Sequence, residues 1–213
     1  MPALAKPAAP AASHADAGFE LFEHVGADRA RAEQFISRRF CESFGARVVA
    51  FMPRLFGLYD RGGSLRGALG LRSARHRLFV EHYLDRPIER VIARHTACAV
   101  DRASIVEVGH LSGTFPGAMR TLIWLLTERL NREGFVWVVF TGTTALRNAF
   151  RRNGLHPVDI QLATAARLAP DARAAWGSYY DHSPHVFVGK IDDGVQQMLR
   201  TADSAQRKPE KSA

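Results

Sequence analysis

Residues 103–120 combine an acid, two spaced glycines and the start of an apolar helix. Glu107 stands in a strand-like run, where Ile105, Glu107 and Gly109 alternate with Val106, Val108 and His110. Gly113 and Gly117 then break the pattern, and an apolar helix is predicted over 118–132. A glycine-bearing turn that feeds a helix leaves backbone N–H groups unpaired at the positive end of the helix dipole. Such a cradle suits a phosphate, a carboxylate or a polarised carbonyl. A carboxylate one strand-length upstream is placed to serve as a general base. The competing reading of Glu107 is a buried acid neutralised by an arginine, with Arg54 or Arg102 as partner. The glycines have a rival explanation too, a turn that needs their backbone freedom.

The elements that must hold these groups read in a definite order. Residues 19–25 form a first strand, and Asp28 caps a helix over 29–43 that Gly45 closes. Two apolar strands, 54–59 and 65–72, flank the hairpin signal Asp60-Arg-Gly-Gly-Ser64. A helix over 85–94 carries Pro87 in its first turn. After the strand at Ile105 and the helix to Arg132, Gly134 stops the chain and 135–141 forms a wholly apolar central strand. Thr143 or Thr144 caps a helix over 145–152, which ends at Asn153-Gly154. Strands over 159–163 and 186–191 close the order, separated by 170–184. Helices interleaved with a mixed sheet predict an α/β or α+β fold in one domain.

That order is similar to the GNAT superfamily of acyltransferases. The segment Thr144-Ala-Leu-Arg-Asn-Ala-Phe-Arg-Arg-Asn-Gly-Leu155 resembles the closing motif of that superfamily. The hairpin, residues 31–40 and Ile105-Val-Glu-Val108 resemble acyl-homoserine-lactone synthases, in which a strand Glu lies close to the amine nucleophile. At closer range the chain resembles the thermostable hemolysin family of bacterial proteins. The match spans residues 47–189 and rests on Phe51-Met-Pro-Arg54, Phe79-Val-Glu-His-Tyr-Leu-Asp85, Ile105-Val-Glu-Val-Gly109, Trp137-Val-Val-Phe-Thr141, Leu146-Arg-Asn148 and Trp176-Gly-Ser-Tyr-Tyr-Asp181.

The resemblance implies a single GNAT-like domain with a mixed, mostly antiparallel sheet flanked by helices. It also implies an enzyme that moves an acyl group from a thioester to a small-molecule amine. In that reading the strands at Ile105 and Phe135 splay to admit the donor. Glu107 takes the proton of the amine, with His82 as an alternative base. Gly109, Leu111, Gly113, Thr114, Gly117, Ala118 and Asn148 would hold the donor. Glu81, Tyr83, His110, Trp176, Tyr179 and Tyr180 would lie on the acceptor and acyl side. Gly113 and Gly117 stand four apart around Phe115-Pro116, unlike the Q/R-x-x-G-x-G/A loop of the superfamily, so CoA and acyl carrier protein both stay open as donor. The family name implies a different activity, membrane lysis, for which the best amphipathic segment is 119–130, and a third reading is a binding module that kept the GNAT-like fold without the chemistry.

Bulk properties bound these readings. The 213 residues suit one domain over 18–200, with a disordered leader at 1–17 and a disordered tail at 201–213. A net charge of +8 favours acidic partners such as phosphate-bearing donors, a carrier protein or an anionic membrane surface. The arginines are scattered rather than gathered on one helix, which speaks against nucleic acid. Cys41 and Cys98 have no metal spacing, so no metal is expected and both read as reduced thiols. The leader lacks a continuous apolar stretch, and no run approaches a membrane span, so a cytoplasmic protein is expected, with peripheral membrane contact still open.

Overall fold

The computed structural model of the protein describes residues 18–115 and 117–206. Seven strands form one sheet: β1 (Phe19–His24), β2 (Arg54–Asp60), β3 (Leu65–Ser73), β4 (Ile105–Gly113), β5 (Trp137–Gly142), β6 (Val158–Leu162) and β7 (His185–Lys190). The helices are α1 (Arg29–Phe44), α2 (Ile88–Thr96), α3 (Ala118–Arg132), α4 (Thr144–Arg152), α5 (Pro170–Ala175) and α6 (Ile191–Gln206). The strand order is β1-β2-β3-β4-β5-β7-β6. Neighbours run antiparallel except β4 and β5, whose parallel pairing needs the crossover that α3 supplies.

Alternation along the strands separates two covered faces. On one, Phe56, Leu69, Leu71, Val106, Val108 and Phe140 pack with Ala118, Leu122 and Leu126 of α3 and with Ile191. On the other, Leu55 and Ala68 meet Ala32, Phe35, Ile36 and Phe40 of α1. Farther along that face Ile105, Val139 and Val186 meet Leu78, Val80, Ile88 and Ile92. Residues 105–108 are buried whichever way they point, as the centre of a sheet covered on both sides requires. Glu107 is therefore carried into the interior by its strand.

Several expectations shift at the edges of elements. Asp28 makes no side-chain cap to α1; it ends a short 3-10 turn, and its carbonyl accepts from Nδ1 of His24 at 2.9 Å. Thr143 takes the cap position of α4 without a side-chain cap bond. Ile191, placed in a strand by its apolar neighbours, begins α6, where Asp192 and Asp193 suit the helix start. Thr201–Gln206, read as loose from their polarity, continue α6 as helix, whereas 207–213, the leader 1–17 and Pro116 lie outside the described residues. The helix α5 falls inside a stretch read as a connection. It brings Trp176 against Phe40 and Phe79, with ring centroids 6.0 and 5.8 Å apart.

The turn after α5 depends on one residue. Gly177 has φ +52, and a Cβ there would lie 2.1 Å from the carbonyl oxygen of Phe44. The backbone of Ser178 donates to that same carbonyl at 2.9 Å, so the turn is seated on the end of α1. Gly177→Ala is expected to destabilise the fold by roughly 2 kcal/mol or more, since overpacking adds to the left-handed backbone cost. Urea unfolding followed by tryptophan fluorescence reads this as a lower midpoint.

Candidate active site

The pairing of β4 with β5 covers four positions: Ile105 opposite Trp137, Val106 opposite Val138, Glu107 opposite Val139 and Val108 opposite Phe140. Beyond Val108 both strands continue, β4 to Gly113 and β5 to Gly142, without further register between them. The cause is legible in the backbone. On its other side β4 pairs Gly109 with Gly70 and Ser112 with Ala68, so His110 and Leu111 together oppose the single residue Leu69. This is a bulge, and His110 occupies it with φ 55, a conformation that costs a non-glycine residue about 1–2 kcal/mol. A bulge bends its strand and re-aims the following side chains. β5 meanwhile stays paired with β7 through Gly142, so the two strands diverge.

The divergence opens a cavity of about 930 Å³. Its walls come from both faces of the sheet: Phe40, Phe44, Phe51 and Met52 on one side, and Ile123, Leu126, Leu146 and Phe150 on the other. Gly109, His110, Leu111 and Gly113 line it along β4, and Phe140 and Thr141 along β5. Thr141 brings a buried Oγ1 that has no hydrogen-bond partner.

Glu107 lies at the apex, only 2% exposed, and lines this cavity. Its Oε2 accepts from the backbone N–H of Phe79 at 2.7 Å and its Oε1 from that of Val80 at 2.9 Å. No arginine forms an ion pair with it among the described residues. Arg54 is engaged by Glu23 and Glu133, each at 2.7 Å, and Arg102 by Glu81 and Glu89, each at 2.6 Å. The arginine-paired reading of Glu107 is thereby corrected. Burial pushes its carboxyl up, the two N–H donors and Arg72 pull it back, and the balance lies at about 7. At neutral pH such a group can both take and return a proton.

Around it, burial and the charge of Arg72 push His110 down to about 4, so its imidazole is neutral. The ring lies between Phe40 and Phe51, with centroids 6.1 and 5.6 Å away. Trp176, Tyr179 and Tyr83 also line the cavity. Burial pushes the phenols of Tyr83 and Tyr179 up and keeps them protonated. Tyr180 hydrogen-bonds the hydroxyl of Tyr83 and supports the wall through it.

Other expected site residues are placed elsewhere. Glu81 accepts from Arg102 and from the backbone N–H groups of Leu78 and Ile88, at 3.0 and 3.1 Å. Although burial pushes it up, those donors prevail and hold its carboxyl at about 2. Glu81 is thus an anion that ties the 78–88 segment together and does not line the cavity. His82 bonds the carbonyl of Phe79 through Nδ1 at 2.9 Å and does not line the cavity. Asn148 is exposed on α4, while its neighbours Ala145, Leu146 and Ala149 face inward. In the proposed cradle, the N–H of Thr114 is spent on Arg66 at 2.9 Å and that of Ala118 on Phe115 at 3.0 Å. Gly109 and Gly113 line the cavity and also admit close neighbours in the direction a side chain would take. A Cβ would meet Met52 at 2.5 Å in the first case and Ala118 at 2.7 Å in the second. Gly117 does not line the cavity either, and a Cβ on it would touch the ring of Phe115 at 3.0 Å.

Sequence reasoning missed the wall formed by Phe40, Phe44, Phe51 and Met52, which reads as ordinary core. It also missed Arg72, the one charge in the run Leu69-Gly-Leu-Arg72. A charge inside an otherwise buried strand was the available signal.

A family model described as thermostable hemolysin matches residues 23–195. The chain belongs to the thermostable hemolysin family. Solved structures with the same fold include FeeM, an N-acyl amino acid synthase from uncultured soil microbes, at 12% identity and TM-score 0.57 over 84% of this chain and 94% of that one. BjaI, a CoA-dependent acyl-homoserine lactone synthase solved with SAM and isopentyl-CoA, aligns at 14% identity and TM-score 0.52 over 85% and 81%. A GCN5-related N-acetyltransferase from Kribbella flavida aligns at 13% identity and TM-score 0.51 over 82% and 99%. At these identities the likeness establishes the fold: a single GNAT-like domain, as expected from the sequence. No curated protein matches the chain.

The buried carboxyl has a consequence for stability. An ordinary Glu titrates near 4.5 and Glu107 near 7, so between these pH values the folded protein binds more protons than the unfolded chain. Stability from this group is fully present below about 4.5 and is lost as pH rises through about 7. At about 1.4 kcal/mol per pH unit of separation the loss is about 3 kcal/mol. Glu107→Gln removes it. The stability of the variant relative to wild type should therefore rise by about that amount between pH 4.5 and pH 8 in urea titrations. A difference that does not vary with pH would show that Glu107 titrates normally.

Proposed function

We propose that this protein transfers an acyl group from a thioester to the nitrogen of a small-molecule amine. The observation that carries the reading is the parting of β4 and β5 directly above a buried, unpaired carboxyl. The apolar walls of the cavity fit an acyl chain and the slender arm of a pantetheine thioester. Either CoA or an acyl carrier protein fits as donor, because Arg152 and Lys190 line one part of the cavity and Arg39 and Arg47 another. Both donors are cytoplasmic molecules, and we take the protein to act there.

In this reading Glu107 removes a proton from the incoming amine. The incoming ammonium is thus freed as the amine, its nitrogen lone pair attacks the thioester carbonyl, and as the C–S bond breaks the proton left on the nitrogen passes to the departing thiolate, giving amide and thiol. Backbone N–H groups of β4 beyond Val108, which have no β5 residue opposite, are suited to the developing oxyanion. The hydroxyls of Tyr179 and Thr141 are nearby donors at the β5 side; Tyr179 bonds the carbonyl of Thr141 at 3.5 Å. Neutral His110 contributes shape and exclusion of water rather than charge.

The lytic reading finds little support in the surface. No helix among the described residues is long and apolar enough to cross a membrane. The segment 119–130 spends its apolar stripe on the core, with Leu122, Ile123, Trp124 and Leu126 all buried.

The test is mass-spectrometric detection of N-acyl product from purified protein, a panel of acyl-CoA and acyl-carrier donors, and mixed amines. Glu107→Gln should keep the fold and lower turnover about 100-fold or more, the usual range for a positioned base. Wild-type kcat/KM should climb with pH through about 7, since the base must be deprotonated. Release of dye from liposomes by a protein that yields no acyl product would overturn the assignment in favour of lysis.

A further inference from the structure

Arg72 lies directly across the β3–β4 ladder from Glu107. Residues opposite each other in an antiparallel pair project from the same face, so the guanidinium and the carboxyl emerge side by side. Both line the cavity. The two groups nevertheless do not pair. Among the described residues no carboxylate lies within 4.0 Å of Arg72, and its hydrogen bond to the carbonyl of Arg77 is long at 3.4 Å. Every neighbouring acid that might have neutralised it is engaged. Glu81 and Glu89 hold Arg102, and Glu107 spends its two oxygens on Phe79 and Val80. Among the described residues the only other acid lining the cavity is Asp193, on α6 across the sheet.

A half-buried cation without a counter-ion is costly unless a ligand supplies one. Next to it stands an acid suited to an ammonium or amine. The pair therefore presents one positive and one negative recognition point, rooted on adjacent strands whose backbones stand about 5 Å apart. Arg offers a planar fork of donors that matches a carboxylate. A plain amine or an amino alcohol would leave that fork unmatched.

We propose that the acceptor is an amine that also carries a carboxylate, with Arg72 binding the carboxylate and Glu107 facing the nitrogen. The proposal rests on the acyl-transfer reading and sharpens it by naming the acceptor class. It makes Arg72 a specificity-determining residue, with a part distinct from that of the base. The cavity floor supports the assignment. Gly70 and Gly109, paired in the ladder between Arg72 and the bulge, lack side chains, and Met52 fills the space above them. The ring of His110 also borders Gly70, so Arg72 and Glu107 face a volume bounded by the Met52 side chain and a neutral imidazole.

The experiment compares acceptors on the full-length wild-type protein before any substitution. Free L-amino acids, their α-carboxamides and the corresponding decarboxylated amines are offered with octanoyl-CoA, and N-acyl products are quantified by mass spectrometry. The amino acids should exceed their carboxamides in kcat/KM by about tenfold to a hundredfold, the range for one charge-assisted contact. Arg72→Ala should shrink that preference to within about threefold, chiefly through KM, and Arg72→Lys should restore part of it. Circular dichroism checks that each variant is folded. Equal use of amino acids and carboxamides by wild type would overturn the acceptor assignment and leave acyl transfer standing. Absence of product from every amine would remove the acyl-transfer reading and this proposal with it. Thermal shift gives a readout free of turnover: amino acids should raise the unfolding temperature of wild type more than their carboxamides do, and equal shifts count against Arg72 as the anion site.

Discussion

A carboxyl in the middle of a sheet has to be met by donors, and the way Glu107 is met organises the surrounding structure. The N–H groups of Phe79 and Val80 reach it from a segment that is neither strand nor long helix. That segment stays in place because Glu81, two residues on from Phe79, is itself gripped by Arg102 and two backbone donors. The chain thus uses one acid as a fixed anchor and leaves the other poised. Their different surroundings explain why one carboxyl is held at about 2 and the other near 7. Two carboxyls driven apart in this manner have unlike parts in the structure, one tied into its frame and the other bordering the cavity.

The opening beside Glu107 follows from competition between neighbouring ladders. β5 has a full antiparallel partner in β7, six register positions from Trp137 to Gly142. β4 has β3, but only by way of the bulge at His110. Each middle strand follows its better partner past Val108, and the parallel pair between them gives way. Parallel pairing is slightly less stable per residue than antiparallel pairing, so it is the ladder expected to yield. The bulge is costly, because a histidine occupies a backbone region usually left to glycine or asparagine. A rare conformation is retained where surrounding contacts over-determine it, and here those are Phe40, Phe51 and the Gly70 surface.

The elements were legible where local chemistry decides them. Asp60-Arg-Gly-Gly-Ser64 announces a hairpin, since Oδ1 of Asp60 accepts from the N–H groups of Gly62 and Ser64 and Gly63 takes a positive φ. Gly45 and Gly134 likewise end their elements with positive φ. The parting of β4 and β5 was implied by the resemblance to acyltransferases and by nothing in the spacing of residues. A bulge leaves no trace in hydrophobic periodicity over so short a run. Side-chain roles were harder still. Glu81, His82 and Asn148 sit within two or three residues of groups that do reach the site, and their side chains point elsewhere because helical or 3-10 turns rotate successive residues by about 100–120°. Sequence proximity pointed to these segments, and the turn geometry decided which of their side chains line the cavity.

Four costs in this molecule meet in one place. The desolvated carboxyl of Glu107, the positive φ of His110, the orphaned hydroxyl of Thr141 and the unmatched guanidinium of Arg72 all line the same cavity. Elsewhere Ala97 and Ser183 also take positive φ, while several arginines are matched in ion-pair networks. Arg54 is shared between Glu23 and Glu133, Arg102 between Glu81 and Glu89, and α3 packs its apolar stripe inward. A fold selected only for persistence has no reason to place four unfavourable features around one opening through its sheet. Ligand contact can offset each of them: a proton and an amine for Glu107, an anion for Arg72, a hydrogen-bonding group for Thr141. A lytic mechanism that draws on exposed apolar surface would offset none, because the features lie inside the molecule where a lipid surface does not reach.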